Sequence, residues 1–186
     1  MPPHRFNRSD KASLIGDRRR KMQPAEEIVE RAEIQNHEIC LDIGSGIGYI
    51  AIPAAVRSVC VIALDVEREM LKSLMKRAPK DLGDRIFPVI AELPHLPLNS
   101  ETIDHVLAIN VIHEIDEKER LSFEISRVLR KGGRLSIVDF QKKPTSFGPP
   151  LHERLSVEEM IVLFRNLSLL RLYNFDEFYQ LEFLKK

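Results

Sequence analysis

The sequence predicts an α/β fold: a doubly wound, seven-stranded sheet, mostly parallel, with a C-terminal antiparallel hairpin. Three observations predict it. Short β-branched apolar runs alternate with longer runs of helical periodicity, the pattern of a parallel sheet with helical crossovers. Several of the short runs are apolar almost throughout, as strands covered on both faces are. The last two runs, 168–175 and 178–184, are separated only by Asp176 and Glu177, which reads as a hairpin.

In chain order, the parallel strands are expected at 38–43 (EICLDI), 59–65 (VCVIALD), 85–91 (RIFPVIA), 103–110 (IDHVLAIN) and 133–139 (GRLSIVD). Helices are expected at 24–35, 46–57, 67–78, 117–130 and 157–167. The helix at 117–130 carries a capping-box pattern in Asp116 and Glu119, an apolar stripe of Leu121, Ile125, Val128 and Leu129, and a stop at Gly132-Gly133. The helix at 157–167 opens with the same box in Ser156 and Glu159. Pro88 cannot donate to a ladder, so the third strand belongs at an edge. Pro53, inside 46–57, is expected to kink its helix.

Composition narrows the partners. Lys+Arg and Asp+Glu are both 28, so no net field favours nucleic acid or anionic lipid. No apolar run is long enough for a membrane span, and the polar N-terminus has no signal-like core, so a cytoplasmic protein is expected. Cys40 and Cys60 sit in apolar strand-like runs and read as small hydrophobes rather than a disulfide framework. His4, His37, His95, His105 and His152 show no metal spacing, and no metal is expected. One domain is expected over 1–186, divided at 37 and 141 into an N-terminal helical segment, a core, and a C-terminal loop, helix and hairpin.

The chemistry concentrates in LDIGSGIGYIA, where Asp42, Gly44, Ser45, Gly46 and Gly48 join the first strand to its helix. Glycines there permit positive φ and close approach of a ligand to the backbone, and a helix start favours an anionic group. A purely structural turn is the other reading. Tyr49 stands where a dinucleotide fingerprint has its third glycine, which argues against a pyrophosphate. Asp65 ends the second strand, 21 residues after Gly44, where such folds place an acid over ribose hydroxyls, with Val66 following it. It is equally a helix N-cap. Glu92 and Leu93 close the third strand, either along an adenine edge or as an exposed loop. Asn110, His113 and Glu114 follow the fourth strand at its carboxyl end. Tyr49 is a pocket wall or a packing residue, and Arg18-Arg19-Arg20-Lys21 is a solvated face or a greeting for an acidic acceptor.

These residues resemble the class I S-adenosylmethionine (SAM)-dependent methyltransferases, in particular the small type 11 group. LDIGSGIG is similar to the first motif of the family, VIALDVEREML to its acidic second-strand motif, LPLNSETIDHV to its acidic loop segment and RVLRKGGRLSIVDF to its RVLKPGG strand motif. Lys131 replaces the usual proline, and Asn99-Ser100-Glu101 replaces Pro-Asp-Asn. The resemblance, strongest over 37–140, implies a Rossmann-like fold with SAM as cofactor and S-adenosylhomocysteine as product. It implies that Gly44 and Gly46 cradle the methionine moiety and that Asp42 orients the turn and the amino-acid end. Asp65 would take the ribose, Glu92 with Leu93 the adenine, and Asn110 would lie beside the amino-acid end. The stretch from His4 to Ile28 is similar to a segment leading into the pocket of related small members, so 1–36 is expected to act as a lid.

The reaction implied is in-line transfer of the SAM methyl to an unidentified acceptor, most simply a small molecule. His113 is the candidate base, with Glu114 orienting it or an incoming amine; packing in the loop is the other reading of both. Signature segments of the quinone-methylating subfamily are missing, and arsenite methylation needs more cysteines than these two. A SAM-binding sensor or partner subunit without catalysis, and an NAD-dependent oxidoreductase, are the rival functions. An oligomer stays open.

Overall fold

The computed structural model describes residues 16–186. Its strands form a seven-stranded sheet in the order β3-β2-β1-β4-β5-β7-β6, with β1 Ile39–Ile43, β2 Cys60–Asp65, β3 Ile86–Ile90, β4 Ile103–Ile109, β5 Leu129–Phe140, β6 Ser168–Asn174 and β7 Phe178–Leu184. The β1–β2, β2–β3 and β4–β5 pairs are parallel; β5–β7 and β6–β7 are antiparallel. The described chain divides into two compact units, 16–92 and 93–186.

In the N-terminal unit, α1 (Asp17–Met22) and α2 (Ala25–Arg31) precede β1, α3 (Ala51–Arg57) links β1 to β2, and α4 (Arg68–Arg77) leads from β2 towards β3. Both crossover helices pack on β2, and α4 also packs on β3. Leu41, Ile43, Val61, Leu64 and Leu74 are fully buried between them, the burial that holds these layers together. Pro88 lies on the sheet's outermost strand, as its missing N–H requires. The expected lid at 1–36 begins, with His4, outside the described residues; its described part forms α1 and α2.

The helix expected at 46–57 begins only at Ala51, after a turn spanning the glycines. Pro53 is therefore in the first turn and not, as expected, in the helix interior; an N–H there has no intrahelical acceptor to lose, which removes the ground for the expected kink.

In the C-terminal unit, α5 (Lys118–Val128) leads into β5 and α6 (Val157–Leu163) into the β6–β7 hairpin. β4 is buried along its whole length. Leu121, Ile125 and Val128 form the buried face of α5 as the stripe predicts. Its ends differ from expectation. Glu117, not Asp116, is the N-cap, and no side chain caps it. At the other end the helix stops at Val128, before Gly132-Gly133, because its last carbonyls are taken elsewhere: Glu101 N–H donates to Arg127 O and Thr102 N–H to Val128 O. Leu129 is already paired with Ile103. The box on α6 forms in full, with Glu159 N–H on Ser156 Oγ at 3.2 Å and Ser156 N–H on Glu159 Oε2 at 2.7 Å.

Candidate functional site

The first group of predicted residues lies in the N-terminal unit. Gly44, Gly46 and Gly48 all have positive φ, so the chain leaves β1 in a tight turn that L-residues rarely adopt. At Gly48, with φ of 83°, a Cβ would also stand 2.8 Å from Leu74 Cγ. The turn is tied to β2 at two points: Ser45 N–H donates to Leu64 O at 3.0 Å, and Gly46 N–H donates to Asp65 Oδ2 at 2.8 Å.

Asp65 is not the N-cap that the sequence allowed: Glu67 caps α4, without a side-chain hydrogen bond, and the Asp65 carboxylate instead serves the backbone on either side of it. Its Oδ1 accepts Glu67 N–H at 2.8 Å ahead of α4, while Oδ2 holds the glycine turn. Each carboxylate oxygen keeps a lone pair for a further donor. Burial pushes its pKa up, against the lowering effect of these backbone hydrogen bonds. Ala91 N–H donates to Asp65 O at 3.2 Å, bringing the end of β3 beside it, and Glu92 follows with its side chain exposed. Val66, next to Asp65, is an exposed apolar side chain.

Beneath the turn lies Asp42, only 2% exposed. Burial, reinforced by the Asp65 charge and opposed by Arg19, pushes its pKa up to about 8. Its Oδ2 and the buried Ser45 Oγ have no hydrogen-bond partner among the described residues. Two unsatisfied buried acceptors beside a rim of glycine backbone are costly in the free protein and suit a ligand that brings a cationic donor.

Arg19 was invisible in its basic run. Arg18, Arg20 and Lys21 are exposed, whereas the Arg19 guanidinium turns inward, 4.3 Å above the centre of the Tyr49 ring. Burial pushes its pKa down to about 10, partly offset by Tyr49 and Asp42. The Tyr49 hydroxyl donates to the backbone oxygen of buried Gln23 at 2.8 Å, fastening the α1–α2 segment to the residue after the last turn glycine. Nothing in the sequence separates Arg19 from its neighbours.

The second group lies in the C-terminal unit. Asn110, with φ of 56°, donates its N–H to Val138 O at 2.8 Å. His113, in a 3₁₀ turn at Ile112–Glu114, is 4% exposed; its Nδ1 lies 2.7 Å from Asp139 Oδ1 and its Nε2 lies 3.8 Å from Glu114 Oε1. The ring does not keep its ordinary pKa. Burial lowers it, but the charges of Asp139, Glu114 and Glu153, with the Asp139 hydrogen bond, outweigh burial and raise it. Asp139, at the carboxyl end of β5, was missed, although its position obeys the same strand-end rule that singled out Asp65. Arg154 was missed too: it stacks on Phe140 and donates to the backbone oxygens of Gln141, Lys143 and Pro149, clasping the 141–150 loop.

Comparison with known proteins agrees with this geometry. A family model described as a methyltransferase domain matches residues 41–137. The methyltransferase GfsG of Streptomyces halstedii is 30% identical over 122 residues, 64% of this chain and 44% of that protein. The 27-O-demethylrifamycin SV methyltransferase of Amycolatopsis mediterranei is 33% identical over 110 residues, 58% of this chain and 40% of that protein. The chain thus aligns with less than half the length of each of these two relatives. A SAM-dependent methyltransferase from Aquifex aeolicus has the same fold, with a TM-score of 0.88 at 21% identity over 98% of this chain and 100% of that one. Fold and motifs define a class I, Rossmann-like methyltransferase domain. The chain belongs to the methyltransferase-domain family, for which SAM is the cofactor. No helix among the described residues is long and apolar enough to cross a membrane.

Proposed function

We propose that this chain transfers the methyl group of SAM to a small-molecule acceptor in the cytoplasm. The single observation that carries the reading is the buried Asp42 carboxylate, its Oδ2 without a partner, beneath a glycine turn pinned to Asp65. That arrangement fits an adenosyl amino acid. Asp42 and Ser45 accept from the ammonium, and the backbone at Gly44, Gly46 and Gly48 allows close approach of the methionine chain. Asp65 accepts from the ribose hydroxyls through its remaining lone pairs. Val66, an exposed apolar side chain, would flank the adenine, and Glu92 with the backbone of Leu93 would meet its edge. A dinucleotide pyrophosphate brings no cationic donor for the unpartnered Asp42 Oδ2.

SAM supplies a methyl already activated by its sulfonium, so the remaining task is to align an acceptor and exclude water. For a protonated acceptor we assign the proton-accepting role to His113 Nε2, with Asp139 holding the opposite ring nitrogen and Glu114 adjusting its charge. Asn110 orders the start of that loop through its positive-φ backbone. Small-molecule chemistry is supported by the balanced charge of the chain and by the rifamycin-methylating relative. Arsenite is disfavoured because Cys40 is buried and Cys60 half-buried within β1 and β2. Thiols in such positions suit a reducing compartment.

The test is a thermal-shift and calorimetric titration with SAM, S-adenosylhomocysteine and NADH. Binding of the first two is expected, weakened at least about tenfold in Asp65→Ala. His113→Gln is expected to leave that binding intact and slow methyl transfer. Stabilisation by NADH alone overturns the reading, and SAM binding without transfer to any component of a metabolite extract favours a sensor.

A further inference from the structure

The placement of Arg19 has a chemical meaning that the cofactor reading alone does not use. A guanidinium is costly to bury, and the neighbouring residues of α1 show that this stretch can remain in water. Arg19 instead reaches over Tyr49, which follows the glycine turn, and lies within the field of Asp42. Asp42 lies in turn within the field of Arg19. The N-terminal unit therefore places one half-buried cationic group and one buried carboxyl group together beside the turn.

Resting on the SAM reading above, we propose that Arg19 recognises the α-carboxylate of the cofactor's amino-acid end, while Asp42 recognises its α-ammonium. The two form a charge pair that matches the methionine zwitterion. A planar guanidinium suits this role because its fork of donors fits a carboxylate, and it is less strongly hydrated than an ammonium. The Tyr49 ring supports the cation from one face, and its hydroxyl holds the segment carrying it through Gln23 O. The pair also selects. A ligand that keeps the sulfonium and the ammonium but lacks the carboxylate brings two positive charges towards Arg19 with no anion to meet it. Arg19 is thus a specificity residue for the intact amino acid, supplied by the segment that precedes the sheet.

Calorimetry on the full chain with SAM, decarboxylated SAM and 5′-methylthioadenosine tests this. The last retains the nucleoside and thioether but has no amino-acid end, so its affinity reports the integrity of the remaining site. The wild type is expected to bind SAM at least about tenfold more tightly than decarboxylated SAM, the low end of a charge-assisted hydrogen bond. Arg19→Met is expected to abolish that preference by weakening SAM, with 5′-methylthioadenosine changed by less than about twofold. Arg19→Lys keeps the charge without the fork and is expected to retain part of the preference. Equal weakening of SAM and 5′-methylthioadenosine in Arg19→Met would make the residue a packing element and overturn the proposal. A preference that survives in Arg19→Met overturns it as well, leaving the cofactor reading intact. Failure of the wild type to bind any of the three ligands overturns both.

Discussion

His113 Nδ1 and Asp139 Oδ1 lie 2.7 Å apart, both residues almost wholly buried, at the carboxyl ends of neighbouring strands β4 and β5. Folding raises the imidazole above its ordinary value of 6.5, even though burial opposes its charge. The stability contributed by the charged pair is therefore full below about pH 6.5 and is lost as pH rises through the higher, folded-state value. An NMR titration of the ring is expected to show a midpoint above 6.5 in the wild type and a lower one in Asp139→Asn. A wild-type midpoint at or below 6.5 would show that burial, not Asp139, dominates.

Asp42 predicts a second pH dependence. Its folded pKa of about 8 lies far above the ordinary 3.8, so its contribution to stability is intact below about pH 3.8 and decays as pH rises towards 8. Asp42→Asn removes the charge that must be buried. Its melting temperature relative to wild type is expected to increase across that window, by about 3 °C or more at pH 8. Binding of S-adenosylhomocysteine near pH 7 is expected to ionise Asp42 and release a proton, visible as a buffer-dependent binding heat.

Gly48→Ala adds a methyl 2.8 Å from Leu74 Cγ at a position with φ of 83°. The backbone strain and the clash together are expected to cost about 2–4 kcal/mol in urea unfolding. Pairing it with Leu74→Ala relieves only the clash, so the two costs should add to more than the double variant shows.

Pro53→Ala separates the expected helix from the observed one. For a proline inside a helix the change would stabilise by about 3 kcal/mol. In the first turn it removes only the restriction on the unfolded chain, and a loss of up to about 1 kcal/mol is expected. Chemical denaturation distinguishes the two signs.

The strands were readable because their signal is local: each core run is short, β-branched and flanked by turn residues, and β1, β2 and β4 agree with expectation to within about two residues. Helix ends were less so, because they answer to distant partners. The Asp116 box is absent, and α5 ends at Val128 because Glu101 and Thr102 take its final carbonyls, a relationship no window around 128 contains. At the site, the glycines and Asp65 stood out because positive φ and strand-end position leave marks in sequence. Arg19 left none, since only Tyr49 and Asp42, far along the chain, distinguish it from Arg18 and Arg20. Asp139 could have been found by applying the strand-end rule to the fifth strand.

Pro88 has a consequence for the protein in concentrated solution. The outermost strand β3 exposes Phe87 and Ile90, an inviting surface for another extended segment. The pyrrolidine ring interrupts the row of amide donors between them, so an incoming chain cannot zip continuously along that margin. A residue with no part in the proposed chemistry thereby helps keep neighbouring molecules from stacking into fibrils.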